Sequence, residues 1–140
     1  MKKQSLKTLV SAAILILLGF SSSAGAHIYS GFIINKSVQV LTLNCPAGSA
    51  RVAAQVLDLS VNKGIMSVTV FKDGGAQTAS DLGQGDGSFS SYVTLSAGSG
   101  TYYLIASQTA AVTGQYRIQY HCEDAQGAET TSGTATLTQQ

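Results

Sequence analysis

From Val38 to Cys122 short alternating or β-branched runs follow one another roughly every ten to fifteen residues, most of them separated by Gly-rich breaks. A period of two is what a strand with one buried face requires, and glycine supplies the backbone conformations that tight turns need. Val38-Gln39-Val40-Leu41-Thr42-Leu43 is the first such run, ended by Cys45-Pro46 and Gly48. Arg51–Leu59 alternates over Val52, Ala54 and Val56, although its alanines would also suit a short helix. In Ile65–Phe71 the side chains of Met66, Val68 and Val70 fall on one face, and Asp73-Gly74-Gly75 breaks the run. Ser90–Leu95, Thr101–Ser107 and Gln115–Cys122 follow, separated by Ala97-Gly98-Ser99-Gly100 and by a connection ending at Gly114. Gln77–Ser88, with Asp81, Gly83, Gly85, Asp86 and Gly87, reads as a loop. Glu129–Thr138 reads as a last strand or a loose tail. No internal repeat and no amphipathic helix stands out. These features predict an all-β fold, an antiparallel, jelly-roll-like β-sandwich.

In Gln115–Cys122 the same period assigns faces. Tyr116, Ile118, Tyr120 and Cys122 point to the core, and Arg117, Gln119 and His121 point away from it.

The N-terminus carries the pattern of a secretion signal. Lys2, Lys3 and Lys7 precede a largely apolar Leu9–Phe20, and Ala24-Gly25-Ala26 has the small-x-small pattern of a cleavage site. The apolar run is shorter than the roughly 20 residues a membrane span needs. The expectation is a signal peptide over 1–26 and one exported domain over 27–140, periplasmic or secreted, with no stable membrane insertion. Past the signal, five basic residues (Lys36, Arg51, Lys63, Lys72 and Arg117) stand against seven acidic ones, about −2 in net charge. They form no cluster, which argues against nucleic acid as a partner. Cys45 and Cys122, the only cysteines, are expected to pair in an oxidising compartment. Loop entropy for so long a closed loop is worth roughly 4–5 kcal/mol.

Leu95-Ser96-Ala97-Gly98-Ser99-Gly100-Thr101-Tyr102-Tyr103-Leu104-Ile105 resembles the "aGtYyl" hairpin of bacterial pre-peptidase C-terminal domains. Gly114-Gln115-Tyr116-Arg117-Ile118-Gln119-Tyr120 resembles the strand that follows in that family, and Val68-Thr69-Val70-Phe71 with Asp73 resembles an earlier strand and turn. The likeness covers about residues 65–122. It implies a small jelly-roll-like sandwich acting as a non-catalytic accessory, here without an adjoining protease. The family's Asp-x-Asp feature before the earlier strand is absent.

Three candidate sites can be read from residue chemistry. Cleavage after Ala26 would leave His27 first, so that its α-amine and imidazole could chelate one ion. His121 would supply a third nitrogen, a donor set that suits copper. This arrangement resembles the histidine brace of copper monooxygenases and of some periplasmic copper carriers. Asp73, Asp81 and Asp86 offer hard oxygen ligands for calcium in or beside Gly-rich turns. Tyr92, Tyr102, Tyr103, Tyr116 and Tyr120 offer stacking faces for carbohydrate. No GxSxG elbow and no HExxH is present, and the reading is of a non-enzyme.

The function expected is an exported, non-catalytic binding or structural module acting on a protein or a cell-surface polymer, with no cofactor. Two alternatives stand beside it. One is a periplasmic copper-binding protein. The other is a subunit of a surface assembly that adds the apolar segment Ile28–Ile34 to a neighbour's sheet edge.

Overall fold

In the computed structural model, which describes residues 26–61, 64–130 and 134–139, every regular element is a β-strand. In chain order they are β1 (His27–Ile33), β2 (Gln39–Cys45), β3 (Arg51–Asp58), β4 (Met66–Lys72), β5 (Gly75–Asp81), β6 (Val93–Leu95), β7 (Gly100–Gln108), β8 (Gly114–Glu123), β9 (Glu129–Thr130) and β10 (Thr136–Gln139). The expected signal segment lies outside the described residues apart from Ala26.

The strands pair antiparallel into two sheets, β1-β8-β3-β6 and β10-β2-β7-β4-β5, and β9 joins the first by pairing with the end of β8. Only β4–β5 and β8–β9 connect neighbours within a sheet. Every other connection crosses to the opposite sheet, so both sheets draw on the whole length of the chain. The expected sandwich is what forms.

Alternation places the core as the sequence indicates. Leu41 and Leu43 from β2, Val52, Ala54 and Val56 from β3, and Met66, Val68 and Val70 from β4 are buried between the sheets. Tyr102 and Leu104 from β7, with Tyr116, Ile118 and Tyr120 from β8, complete it. Cys45 and Cys122 form the expected disulfide, with Cα atoms 5.7 Å apart across a separation of 77 residues. It ties the end of β2 in one sheet to the end of β8 in the other.

Each fully buried tyrosine finds a partner for its hydroxyl, as a buried polar group must. Tyr102 donates to the Gly98 carbonyl at 2.6 Å and accepts from the Ala97 amide. Tyr116 donates to Gln39 Oε1, and Tyr120 accepts from the Ala135 amide at 2.7 Å. These bonds fasten the turn before β7, the start of β2 and the approach to β10.

Several local expectations change. Residues 77–81, read as part of a loop, belong to β5. Asp73 and Gly74 both take positive φ, 50° and 81°, and close a two-residue hairpin between Lys72 and Gly75. That turn twists as paired strands do, so Asp-Gly reverses the chain into a new strand. Ser67–Ser80 and Thr69–Thr78 hydroxyl bonds then line its outer face. Arg51–Asp58 is strand throughout, because Val52, Ala54 and Val56 face the core. The run expected over Ser90–Leu95 is strand only at Val93–Leu95; Ser90 contributes single bonds to Val56. Glu129–Thr138 splits into β9 and β10.

Candidate functional site

The feature that distinguishes this sandwich is the edge formed by β1. Its residues pair one for one with β8, from His27 opposite Tyr120 to Ile33 opposite Gly114, without a bulge. Among the described residues no strand lies on its other side. Tyr29, Gly31 and Ile33 turn toward the core, whereas Ile28, Ser30 and Phe32 turn outward. Ile28 is 57% exposed and Phe32 54%, and Ile34 just beyond the strand is 57% exposed.

Gly31 lets the strand lie close to the core. A Cβ there would sit 2.7 Å from Gln39 Oε1 and 2.8 Å from the Tyr116 hydroxyl, the buried pair beneath it. The far end of β1 is pinned by Gln108, whose side-chain amide donates to the carbonyls of Ile33 and Val112. After Ile33 the chain turns sharply, with Asn35 and Lys36 at positive φ and the Ser37 amide donating to the Ile34 carbonyl at 2.9 Å. Along this edge runs a groove of about 760 Å³ lined by Tyr29, Gly31, Phe32, Ile34, Gln39 and Thr113, among others. None of its lining residues is charged.

An open strand edge presents unpaired N–H and C=O groups, and proteins blunt such edges by brevity, bulges or charge. The other edges here compare as follows. The strand β6 spans three residues and β9 two, and β10 has a register shift between Leu137 and Gln139. Although β5 is as long as β1, its outward residues are Ala76, Thr78 and Ser80. Only β1, among the described edges, combines length, unbroken register and large exposed apolar side chains. It carries no Lys, Arg, Asp, Glu or Pro.

At the start of β1 lies a polar corner that holds both histidines. His27, opposite Tyr120, stacks on that ring with centroids 5.8 Å apart, and its Nε2 is 3.8 Å from Glu129 Oε1. His121 follows Tyr120 in β8 and so leaves the other face of the sheet. There its Nε2 hydrogen-bonds Glu123 Oε1 at 2.7 Å, and Tyr92 meets its ring edge-on. A carboxylate only accepts, so Nε2 holds the proton of that bond. His121 Nδ1 and Glu129 Oε2 are buried without a hydrogen-bond partner.

Burial by itself would raise the Glu123 pKa. The hydrogen bonds from Arg51 and His121, with their charges, outweigh it and hold the carboxyl below its ordinary value. Burial first, then Glu123 and Glu129, push the Tyr92 hydroxyl up. The two histidines thus share one end of the sheet, on opposite faces, and each has its own glutamate. Among the described residues no group of three or more His, Cys, Asp and Glu side chains is arranged to hold a metal ion.

The three aspartates do not gather. Asp73 and Asp81 stand at opposite ends of β5, roughly 20 Å of strand apart. Asp81 is buried, and its two oxygens accept from the amides of Asp58 at 2.7 Å and Gly83 at 3.0 Å. Asp86 accepts from the Ser88 amide. Both carboxylates therefore serve turns. Of the tyrosines, Tyr102, Tyr116 and Tyr120 are core; Tyr92 is exposed just before β6 and Tyr103 on β7, beside Phe71.

What the sequence reading missed is that most of the segment Ile28–Ile34, from Ile28 to Ile33, already belongs to a strand paired within its own molecule. The alternation Ile28-x-Ser30-x-Phe32-x-Ile34 was visible. Which side is core is decided only by its pairing with β8. No family model matches this chain, and no curated protein matches it significantly. The likeness to pre-peptidase C-terminal domains therefore rests on the quoted motifs alone.

Proposed function

We propose that this chain is an exported, non-catalytic protein-binding module that docks an extended segment of a partner polypeptide along the free edge of β1. The observation that carries this reading is the contrast among edges: β1 is long, regular, uncharged and apolar, while its counterparts are short, shifted or small and polar. An incoming strand would satisfy the open main-chain groups of β1, and pockets for alternate side chains would supply selectivity. The groove beside β1 has no charged lining, so it favours a segment that alternates apolar and uncharged residues. The disulfide and the secretion-type N-terminus support an oxidising compartment as the place of action.

In this reading β1 receives a strand and stays in its own sheet. That differs from the alternative in which Ile28–Ile34 is donated to a neighbour, because β1 already pairs with β8 over all seven residues.

A photo-crosslinking amino acid at Phe32 tests the docking. It is expected to capture a polypeptide partner in the producing cells, and Ile28→Lys with Phe32→Lys should abolish association with that partner. The same pair of lysines at Ala76 and Thr78 on β5 should leave association intact. Equal association in both double variants would overturn the proposal.

A further inference from the structure

We infer that the strand received by β1 is the β1 of a second copy of this chain, paired antiparallel about a two-fold axis at Ser30; this rests on the strand-docking reading above. Symmetric association requires one patch to be complementary to itself. The strand β1 meets that requirement in its sequence and in its placement. Its seven residues, His27–Ile33, are centred on Ser30. An antiparallel copy centred there pairs every residue of the strand, and a register shifted by two leaves residues unpaired at both ends.

The resulting pairs are chemically matched. Directly opposed residues of an antiparallel ladder share a face, so outward residues meet outward ones. Ile28 meets Phe32 of the second copy, twice, and Ser30 meets Ser30. Both apolar side chains are more than half exposed in the single chain. On the inward side Tyr29 meets Gly31. No side chain fits at Gly31 itself, because its Cβ would collide with Gln39 and Tyr116. The strand has no Lys, Arg, Asp or Glu, and the pairing sets the two His27 residues, each the first of its chain if cleavage follows Ala26, at opposite ends of the ladder, away from like-charge repulsion. The product is one sheet in which β6-β3-β8-β1 of one copy continues into β1-β8-β3-β6 of the other.

A single seven-residue edge buries less than the roughly 800 Å² per partner of a standard stable interface. The pairing is therefore reversible and concentration-dependent.

The axis at Ser30 makes the test specific. Both native cysteines are joined to each other, so Ser30→Cys adds the only free thiol. Opposed Cα atoms in either kind of antiparallel pair lie within disulfide range. On mild oxidation of the purified protein, Ser30→Cys is expected to give a covalent dimer, and Gln77→Cys on the β5 edge is not. Sedimentation should show monomer and dimer exchanging as concentration rises from micromolar to millimolar. Ser30→Lys and Ser30→Asp should each be monomeric alone and should form a mixed dimer when combined. Circular dichroism confirms that these exposed substitutions leave the fold intact. If the wild type stays monomeric throughout and the Lys and Asp variants fail to pair, the second copy is excluded as occupant. The strand-docking reading would then stand or fall on the Phe32 crosslinking experiment, which reports any polypeptide on the edge.

Discussion

Individual side chains show where burial overrides residue type. Lys72 belongs to the inward row of β4 with Met66, Val68 and Val70, and is only 9% exposed. Its ammonium donates to the carbonyls of Ala97 and Ser99 and lies 4.7 Å from the Tyr102 ring centroid. A charge so placed closes the end of the core and fixes the turn before β7. Glu123 is another charge with a defined structural task, tying Arg51 of β3 and His121 of β8 together. Its lowered pKa means that its contribution is fully present above the ordinary carboxylate value and is lost as pH falls through the folded-state value. Glu123→Gln is accordingly expected to cost about 1.5–3 kcal/mol at pH 7, as for hydrogen bonds to charged groups. Denaturant titrations of both proteins should show that gap closing below about pH 4. A gap independent of pH would show that the carboxylate's charge is not what matters.

Among the elements, the hairpin joining β4 and β5 shows how a strand can escape a composition-based reading. Gly75–Asp81 has no large apolar side chain, and its hydroxyl and amide residues are those of loops. The signal that finds it is Asp73-Gly74, whose two positive-φ positions favour a hairpin over a break. Gly74, at φ 81°, is the residue this turn depends on. Gly74→Val should destabilise by about 1–2 kcal/mol, since a β-branched residue resists the left-handed region. The loss is expected as a lower thermal midpoint, and the Ser67–Ser80 end of the hairpin should exchange its amides faster. An unchanged midpoint would mean that the turn does not set the register. In β1 the opposite problem arises: its alternation was legible, but an apolar row facing outward looks the same in sequence as one facing the core.

For the molecule as a whole, the disulfide is the strongest single constraint on the unfolded chain. It joins residues 77 apart and links the two sheets where β2 and β8 end. Replacing both cysteines by alanine should cost about 3–5 kcal/mol, chiefly by freeing the denatured state. A fall in the urea midpoint of that size would check it; an unchanged midpoint would mean that packing alone holds the sheets together. The sandwich class, the faces of β8 and the cysteine pair were all legible in the sequence, because each follows from a local rule: period two, glycine at turns, or an even cysteine count behind a secretion-type N-terminus. The distribution of strands between sheets was not, because it depends on pairings between segments far apart in the chain. Those pairings put β1 at an edge, send His27 and His121 to opposite faces, and separate Asp73 from Asp81. The sequence thus determined that apolar and polar residues would divide between two sides of each strand. Only the tertiary structure decided that β1 would be among the strands left at an edge, since that follows from what its neighbours leave uncovered.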